Sequence, residues 1–308
     1  MDYSEFKETI QSMIKDRLGE DFEIRVFEVR KNNGIFLDNL SIRRKEDVIS
    51  PCIYLQFYYG EYINGRTMDE LADEMIDYYR RSLPRHFDLE KFLTDESIRS
   101  HLVCRLVNTK RNSVLLDECP HIPYLNLSVI FYLLFDDPEI GAGAIVIRNS
   151  NISELHLKEE ELPELAFRNM KRLLPADLIA MDDLIRELRS GNPEGEEEGR
   201  CGTDGSDLKD GDDLPLYVLT NARRSFGAAW IMDPDVLKDI SGKLGDDFYV
   251  LPSSVHECMI LPAHLQGDPC SLAQMVEEIN ESQVAPEEIL SDNVYVYKRE
   301  EGILKIAA

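Results

Sequence analysis

The chain is short of positive charge. It has 34 lysines and arginines against 59 aspartates and glutamates, a formal net charge of −25. Binding to DNA, RNA or an anionic lipid surface needs a basic face that displaces counterions from phosphates. This composition therefore argues against a nucleic-acid or membrane partner and leaves protein or small-molecule partners open. Paired cysteines are missing too. Cys52, Cys104, Cys119, Cys201, Cys258 and Cys270 come no closer in sequence than 12 residues, which excludes a CxxC redox pair and a zinc knuckle. The N-terminal stretch is acidic and has no secretory core. The longest apolar-rich run, residues 125–135, is interrupted by Asn126 and Ser128 and is too short to span a bilayer. Together these absences predict a cytoplasmic protein with reduced, mostly core-filling thiols. The P-loop, GxGxxG, GxSxG and HExxH patterns are also lacking, so no nucleotide, dinucleotide, nucleophile-elbow or zincin site is signalled.

What is present suits a globular α+β protein. At 308 residues, 43% of them hydrophobic, the chain is long enough to bury a core without disulfide or metal staples. Helical spacing of apolar residues predicts helices over 3–18, 67–81, 159–174 and 176–188, with a shorter one near 89–97. Thr67 and Glu70 form a capping box, as do Ser271 and Gln274, and Asp233-Pro234 starts a helix ending near Leu244. Alternating or β-rich runs predict strands over 22–29, 35–42, 51–59, 101–107, 125–135 and 144–147. Residues 216–219 and 228–232 read as a hairpin, as do 294–297 and 303–306. The expected architecture is mixed or antiparallel sheets with helices packed on one face.

Residues 190–213 differ from the rest. They hold six glycines, nine acids and two bases, a net charge of −7 that leaves −18 for the remainder. This reads as an acidic linker or long surface loop between an α+β domain at 1–189 and a second at 214–308. The acidity is not confined to it. That raises a further class, a nucleic-acid mimic whose carboxylates stand in for phosphates.

Candidate chemistry gathers in Tyr249-Val-Leu-Pro-Ser-Ser-Val-His-Glu-Cys-Met-Ile-Leu-Pro262, read as two strands joined at Pro252-Ser253-Ser254. If 255–262 is a regular strand, Ser254 and His256 share one face and Glu257 points to the other. Ser254 and His256 would then be the nucleophile and base of a hydrolase, with Glu257 the nearest carboxylate, although the set lacks an assignable third member and oxyanion hole. The plainer reading is a half-buried strand histidine that fixes the corner. His264 and Asp268 follow no zinc-ligand spacing, and neither a metal nor a cofactor is expected. Arg223 and Arg224 fall in a predicted turn and are candidate anion ligands, as is the basic loop 108–112; solvated turns explain both more simply.

Four segments carry a resemblance: Tyr58-Tyr-Gly-Glu-Tyr-Ile-Asn-Gly-Arg66, Val107-Asn-Thr109, Leu251-Pro-Ser-Ser-Val-His-Glu257 and Glu287-Glu-Ile-Leu-Ser-Asp-Asn-Val-Tyr295. In these the chain resembles an uncharacterised bacterial family known only as a domain of unknown function. The resemblance spans both sides of the acidic insert and implies a bacterial cytosolic protein. It brings no activity, substrate or cofactor. The leading expectation is a non-catalytic interaction or regulatory protein with a protein partner.

Overall fold

The computed structural model describes residues 1–44, 50–82, 94–137, 141–190, 216–252, 254–265 and 268–308. They form two compact units, Met1–Arg99 with Leu133–Ile145, and Ser100–Tyr132 with Val146–Ala308. Three antiparallel sheets and the helices around them make the fold α+β.

In the first unit, α1 (Tyr3–Leu18) begins at a capping box. The Asp2 carboxylate accepts from Glu5 N–H at 2.9 Å, and Glu5 accepts from Asp2 N–H at 3.1 Å. Gly19 ends it at φ 84°, where other residues are strained. Phe6, Ile10 and Ile14, at helical spacing, are fully buried. β1 (Phe22–Arg30) and β2 (Phe36–Arg44) pair in register from Phe22↔Arg44 to Arg30↔Phe36. Ile24 and Ile42 lie opposite each other and close the core with Leu40. α3 (Met68–Ser82) has the expected Thr67/Glu70 cap and buries Leu71, Ala72, Met75, Ile76 and Tyr79. Leu71, Met75 and Ile76 each contribute about 1.5–3 kcal/mol by leaving water.

Between them the expected strand at 51–59 is corrected. Only β3 (Ile53–Tyr54) is extended, and α2 (Leu55–Ile63) follows at once. The apparent alternation Ile53, Leu55, Phe57 is not used, because Phe57 is 65% exposed. Leu55, Tyr58, Tyr59 and Tyr62 recur at helical spacing and pack against Phe6 and its neighbours.

The second unit contains β4 (Leu102–Asn108), preceded in sequence by α4 (Asp95–His101), which overlaps the end of the helix expected near 89–97; residues 89–93 lie outside the described residues. α5 (Ser113–Glu118) leads to β5 (His121–Tyr124), which pairs with β6 (Leu127–Asp137), and β4 borders β6 on the other side; β7 (Gly141–Val146), which with the end of β6 is counted almost wholly in the first unit, pairs with β6 as well. α6 (Leu162–Leu173) covers β4: Asn169 Nδ2 donates to Leu102 O at 2.8 Å, and Cys104 Sγ lies 3.1 Å from Met170 Sδ. A six-stranded sheet follows the order β13 (Ile303–Ile306), β12 (Tyr295–Lys298), β10 (Phe248–Leu251), β11 (Cys258–Pro262), β9 (Tyr217–Asn221), β8 (Ala176–Ala180).

Two expectations for this sheet change. Residues 176–188 are not one helix. β8 (Ala176–Ala180) pairs with β9 (Tyr217–Asn221) from Ala176↔Asn221 to Ala180↔Tyr217, and only then does α7 (Met181–Ser190) begin. Residues 228–232 are not the partner strand of β9 but a 3-10 helix, Gly227–Met232, with Ala228, Ala229, Trp230 and Ile231 all buried. Trp230 Nε1 donates to Leu174 O at 2.9 Å. An apolar run buried on every side has no alternation to read. α8 (Pro234–Leu244) starts as expected, with the Asp233 carboxylate accepting from Asp235 and Val236 N–H. β10 (Phe248–Leu251), β11 (Cys258–Pro262), β12 (Tyr295–Lys298) and β13 (Ile303–Ile306) complete the sheet. α9 (Pro269–Gln283) is capped by Asp268 rather than by Ser271, because Asp268 accepts from Cys270 N–H. The expected acidic linker, apart from Ser190, lies outside the described residues; the strands on either side of it in sequence, β8 and β9, are neighbours in one sheet.

Candidate functional site

β10 and β11 pair antiparallel up to Leu251↔Met259, as expected for a hairpin, but the strand does not reach back to residue 255. Ser253 lies outside the described residues. Ser254 forms an isolated bridge with Ile289, Val255 N–H donates to Glu288 O at 2.9 Å, and Ser291 N–H donates to Pro252 O at 3.1 Å. The corner is thus laid against residues 288–291. Ser254 Oγ accepts from the backbone N–H of His256 at 3.0 Å. This local bond competes with a ladder bond, so the face-sharing that a regular strand would impose on Ser254 and His256 does not arise.

The His256 ring faces elsewhere. Its Nδ1 accepts from Phe226 N–H at 3.4 Å, and its Nε2 stands 3.6 Å from Glu288 Oε1. Those partners place the neutral ring's proton on Nε2. The imidazole stacks on the Phe226 ring, with centroids 6.0 Å apart and planes at 17°. Burial lowers its pKa below the ordinary histidine value; Glu288 pushes it up, Arg105 down and Glu257 up. Its backbone carbonyl accepts from Thr220 Oγ1 at 3.0 Å. The turn that delivers Phe226 is tied by Asn221, whose Oδ1 accepts from Arg223 N–H and whose Nδ2 donates to Ser225 O. Phe226 takes φ 60° and Arg224 φ 47°. Gly227 is required next, since a Cβ there would lie 2.5 Å from His256 O and 2.6 Å from Thr220 Cα.

The other sequence candidates fall apart from this cluster. Glu257 acts on His256 through its charge alone among the described residues. Arg223 and Arg224 are exposed in the turn before Phe226. His264 Nδ1 pairs with Asp246 Oδ2 at 2.8 Å, not with Asp268, which caps α9. A hollow of about 570 Å³ lined by Lys238, Asp239, Ser241, Gly242, Lys243, Tyr297 and Arg299 shares no residue with the His256 cluster.

Sequence reasoning passed over Arg105. The Cys104 side chain meets Met170 of α6, and alternation along β4 turns Arg105 to the opposite face with Val103 and Val107. The guanidinium carbon lies 4.4 Å from the Tyr132 ring centroid and 5.5 Å from that of Phe226, and those rings are 5.3 Å apart. Tyr132, Phe226 and His256 thus form a row of rings with Arg105 beside it. The Arg105 side chain makes no hydrogen bond or ion pair among the described residues, and its Nε is buried without a partner. Burial draws its pKa down. The available signal was a single cation within Leu102-Val-Cys-Arg-Leu-Val107.

Beside the ring row runs a polar seam. Asn108 Nδ2 donates to Leu290 O at 3.1 Å, Asn126 Nδ2 to Asn293 Oδ1 at 2.9 Å, Tyr295 OH to Asn126 Oδ1 at 2.6 Å, and Asn280 Nδ2 to Ser291 O at 3.1 Å. Three of the four segments that carry the resemblance therefore meet here: 107–109, 251–257 and 287–295. The fourth lies on α2 and the loop after it, where Arg66 pairs with Glu74 at 2.6 Å.

Among the described residues, no helix is long and apolar enough to cross a membrane, and no group of three or more His, Cys, Asp or Glu is arranged to hold a metal ion. No curated protein and no solved structure matches the chain. The chain does match DUF5688, a family of unknown function, over residues 3–299, and so it belongs to that family.

Proposed function

We propose that this protein acts by binding rather than by catalysis, as an interaction or regulatory protein of the bacterial cytoplasm. One observation carries the reading. The hydroxyl of Ser254 is engaged by the backbone N–H of His256, while the imidazole is held between Phe226 N–H and the Glu288 carboxylate. A nucleophile and its base must instead share a proton between them. Here both side chains fix the corner on which residues 288–291 rest. A reducing compartment agrees with Cys104, Cys119 and Cys258, which are buried free thiols; burial pushes Cys104 up to about 12 and raises the other two. The net charge favours a partner protein with a basic face.

The test is exposure of the full chain to a fluorophosphonate ester, read by intact mass. The expected result is an unchanged mass. A single adduct at Ser254, abolished in His256→Ala, would overturn the reading in favour of a hydrolase.

A further inference from the structure

A guanidinium offers five N–H donors in one plane. Aromatic rings attract its charge but accept none of those hydrogens in the plane. A buried cation without a counter-charge is costly, and buried charges are therefore almost always paired. Arg105 departs from that rule in a chain with 59 carboxylate side chains. The groups that act on its charge are Tyr132 and Cys119, and both are neutral near pH 7 because burial raises them, Tyr132 to about 12. His256, whose own titration Arg105 suppresses, is neutral there as well. Among the described residues no carboxylate pairs with it, and Glu288 is held instead 3.6 Å from His256 Nε2.

It lies at the edge of partly exposed side chains. Arg105 is half-buried as a residue although its Nε is sealed, and the side chains of His256 and Glu288 are 30% and 47% exposed. The Tyr132 and Phe226 rings restrict how the guanidinium can turn, which lowers the entropic cost of engaging a planar or tetrahedral acceptor.

We propose that Arg105, steadied by Tyr132 and Phe226 and bordered by His256, anchors a binding site for a small oxyanion, a carboxylate or a phosphate. The guanidinium edge donates to the anion's oxygens, supplying the counter-charge that none of the described residues does. The site stands apart from the binding reading above: it survives if Ser254 proves reactive, and that reading survives if no anion binds.

The experiment is titration of the full chain with sodium phosphate and, separately, sodium acetate at constant ionic strength against sodium chloride, followed by calorimetry and by melting temperature. The expected result is saturable one-site binding of at least one of the two, with a matching rise in melting temperature that chloride does not give. A response to phosphate alone assigns a phosphate-bearing ligand, and a response to acetate alone a carboxylate. Arg105→Met should abolish binding without lowering the melting temperature in chloride, because it removes an unpaired buried charge. Arg105→Lys keeps the charge but loses the fork, so binding should weaken by about tenfold. It also carries the test if the methionine variant does not fold. Lack of saturable binding of either anion overturns the proposal. So does undiminished binding by Arg105→Met or Arg105→Lys, or a methionine variant that melts lower while the wild type ignores both anions.

Discussion

Ser254 and His256 are joined side chain to backbone: Oγ of the first accepts from the amide of the second at 3.0 Å, while the imidazole turns to Phe226. A hydroxyl and an imidazole two residues apart can thus be close without forming a catalytic pair. Ser254→Ala should cost about 1 kcal/mol, a fall in melting temperature of roughly 2–4 °C for a unit of this size. The proton resonances of the His256 ring should titrate as before. Thermal denaturation and NMR check the two halves.

His256 makes stability depend on pH in a definite direction. Burial holds its folded pKa below 6.5, so on acidification the unfolded chain takes up a proton first. The contribution is therefore complete above pH 6.5 and is lost as the pH falls through that value toward the folded pKa. Denaturant midpoints measured from pH 7.5 to 5 should drop more steeply for the wild type than for His256→Gln. Glu288 opposes the shift, so Glu288→Gln should lower the NMR-measured pKa of His256 further.

Two glycines should respond oppositely to alanine. At Gly227 the added methyl meets backbone atoms at 2.5 and 2.6 Å, and neither can move aside as a flexible side chain would. Gly227→Ala should destabilise by about 2 kcal/mol or more. Gly242 lies within α8 with open space around it, so Gly242→Ala should stabilise by about 0.5–1 kcal/mol. Urea denaturation of the two variants side by side decides the matter.

Tyr295 is fully buried, and its hydroxyl meets Asn126 Oδ1 at 2.6 Å and Ser291 Oγ at 3.3 Å. Tyr295→Phe leaves Asn126 Oδ1 without that donor and should cost about 1–3 kcal/mol. Amide exchange at Asn293 and Val294 should quicken, since Asn126 also holds Asn293. A loss confined to global stability, with exchange there unchanged, would separate the hydroxyl from the seam.

Much of the fold was legible where the chain carries its own punctuation. Thr67 with Glu70 and Asp233 before Pro234 each announce a helix through backbone groups only a few residues away. Three of the errors share one cause, which is dependence on distant chain. Whether 176–180 is strand or helix is decided by β9, and whether 228–232 is strand or 3-10 helix is decided by the packing around Trp230. At 51–59 two periodicities overlap, and the helical one wins because Tyr58, Tyr59 and Tyr62 find Phe6 and Tyr3. The candidate site was half visible. His256 and the 287–295 segment stood out as sequence, whereas Arg105 acquires meaning only when Tyr132 and Phe226, remote in the chain, come to flank it.

The pairing of Ala180 with Tyr217 has a consequence for how this protein can vary. The backbone leaves the sheet at one residue and rejoins it at that residue's neighbour across the ladder, where Met181 N–H also meets Leu216 O at 2.9 Å. Everything between departure and return is an excursion with fixed, adjacent anchors. The ladder between the two strands fixes both anchors, so a change of chain length between α7 and β9 leaves the register of both strands where it is.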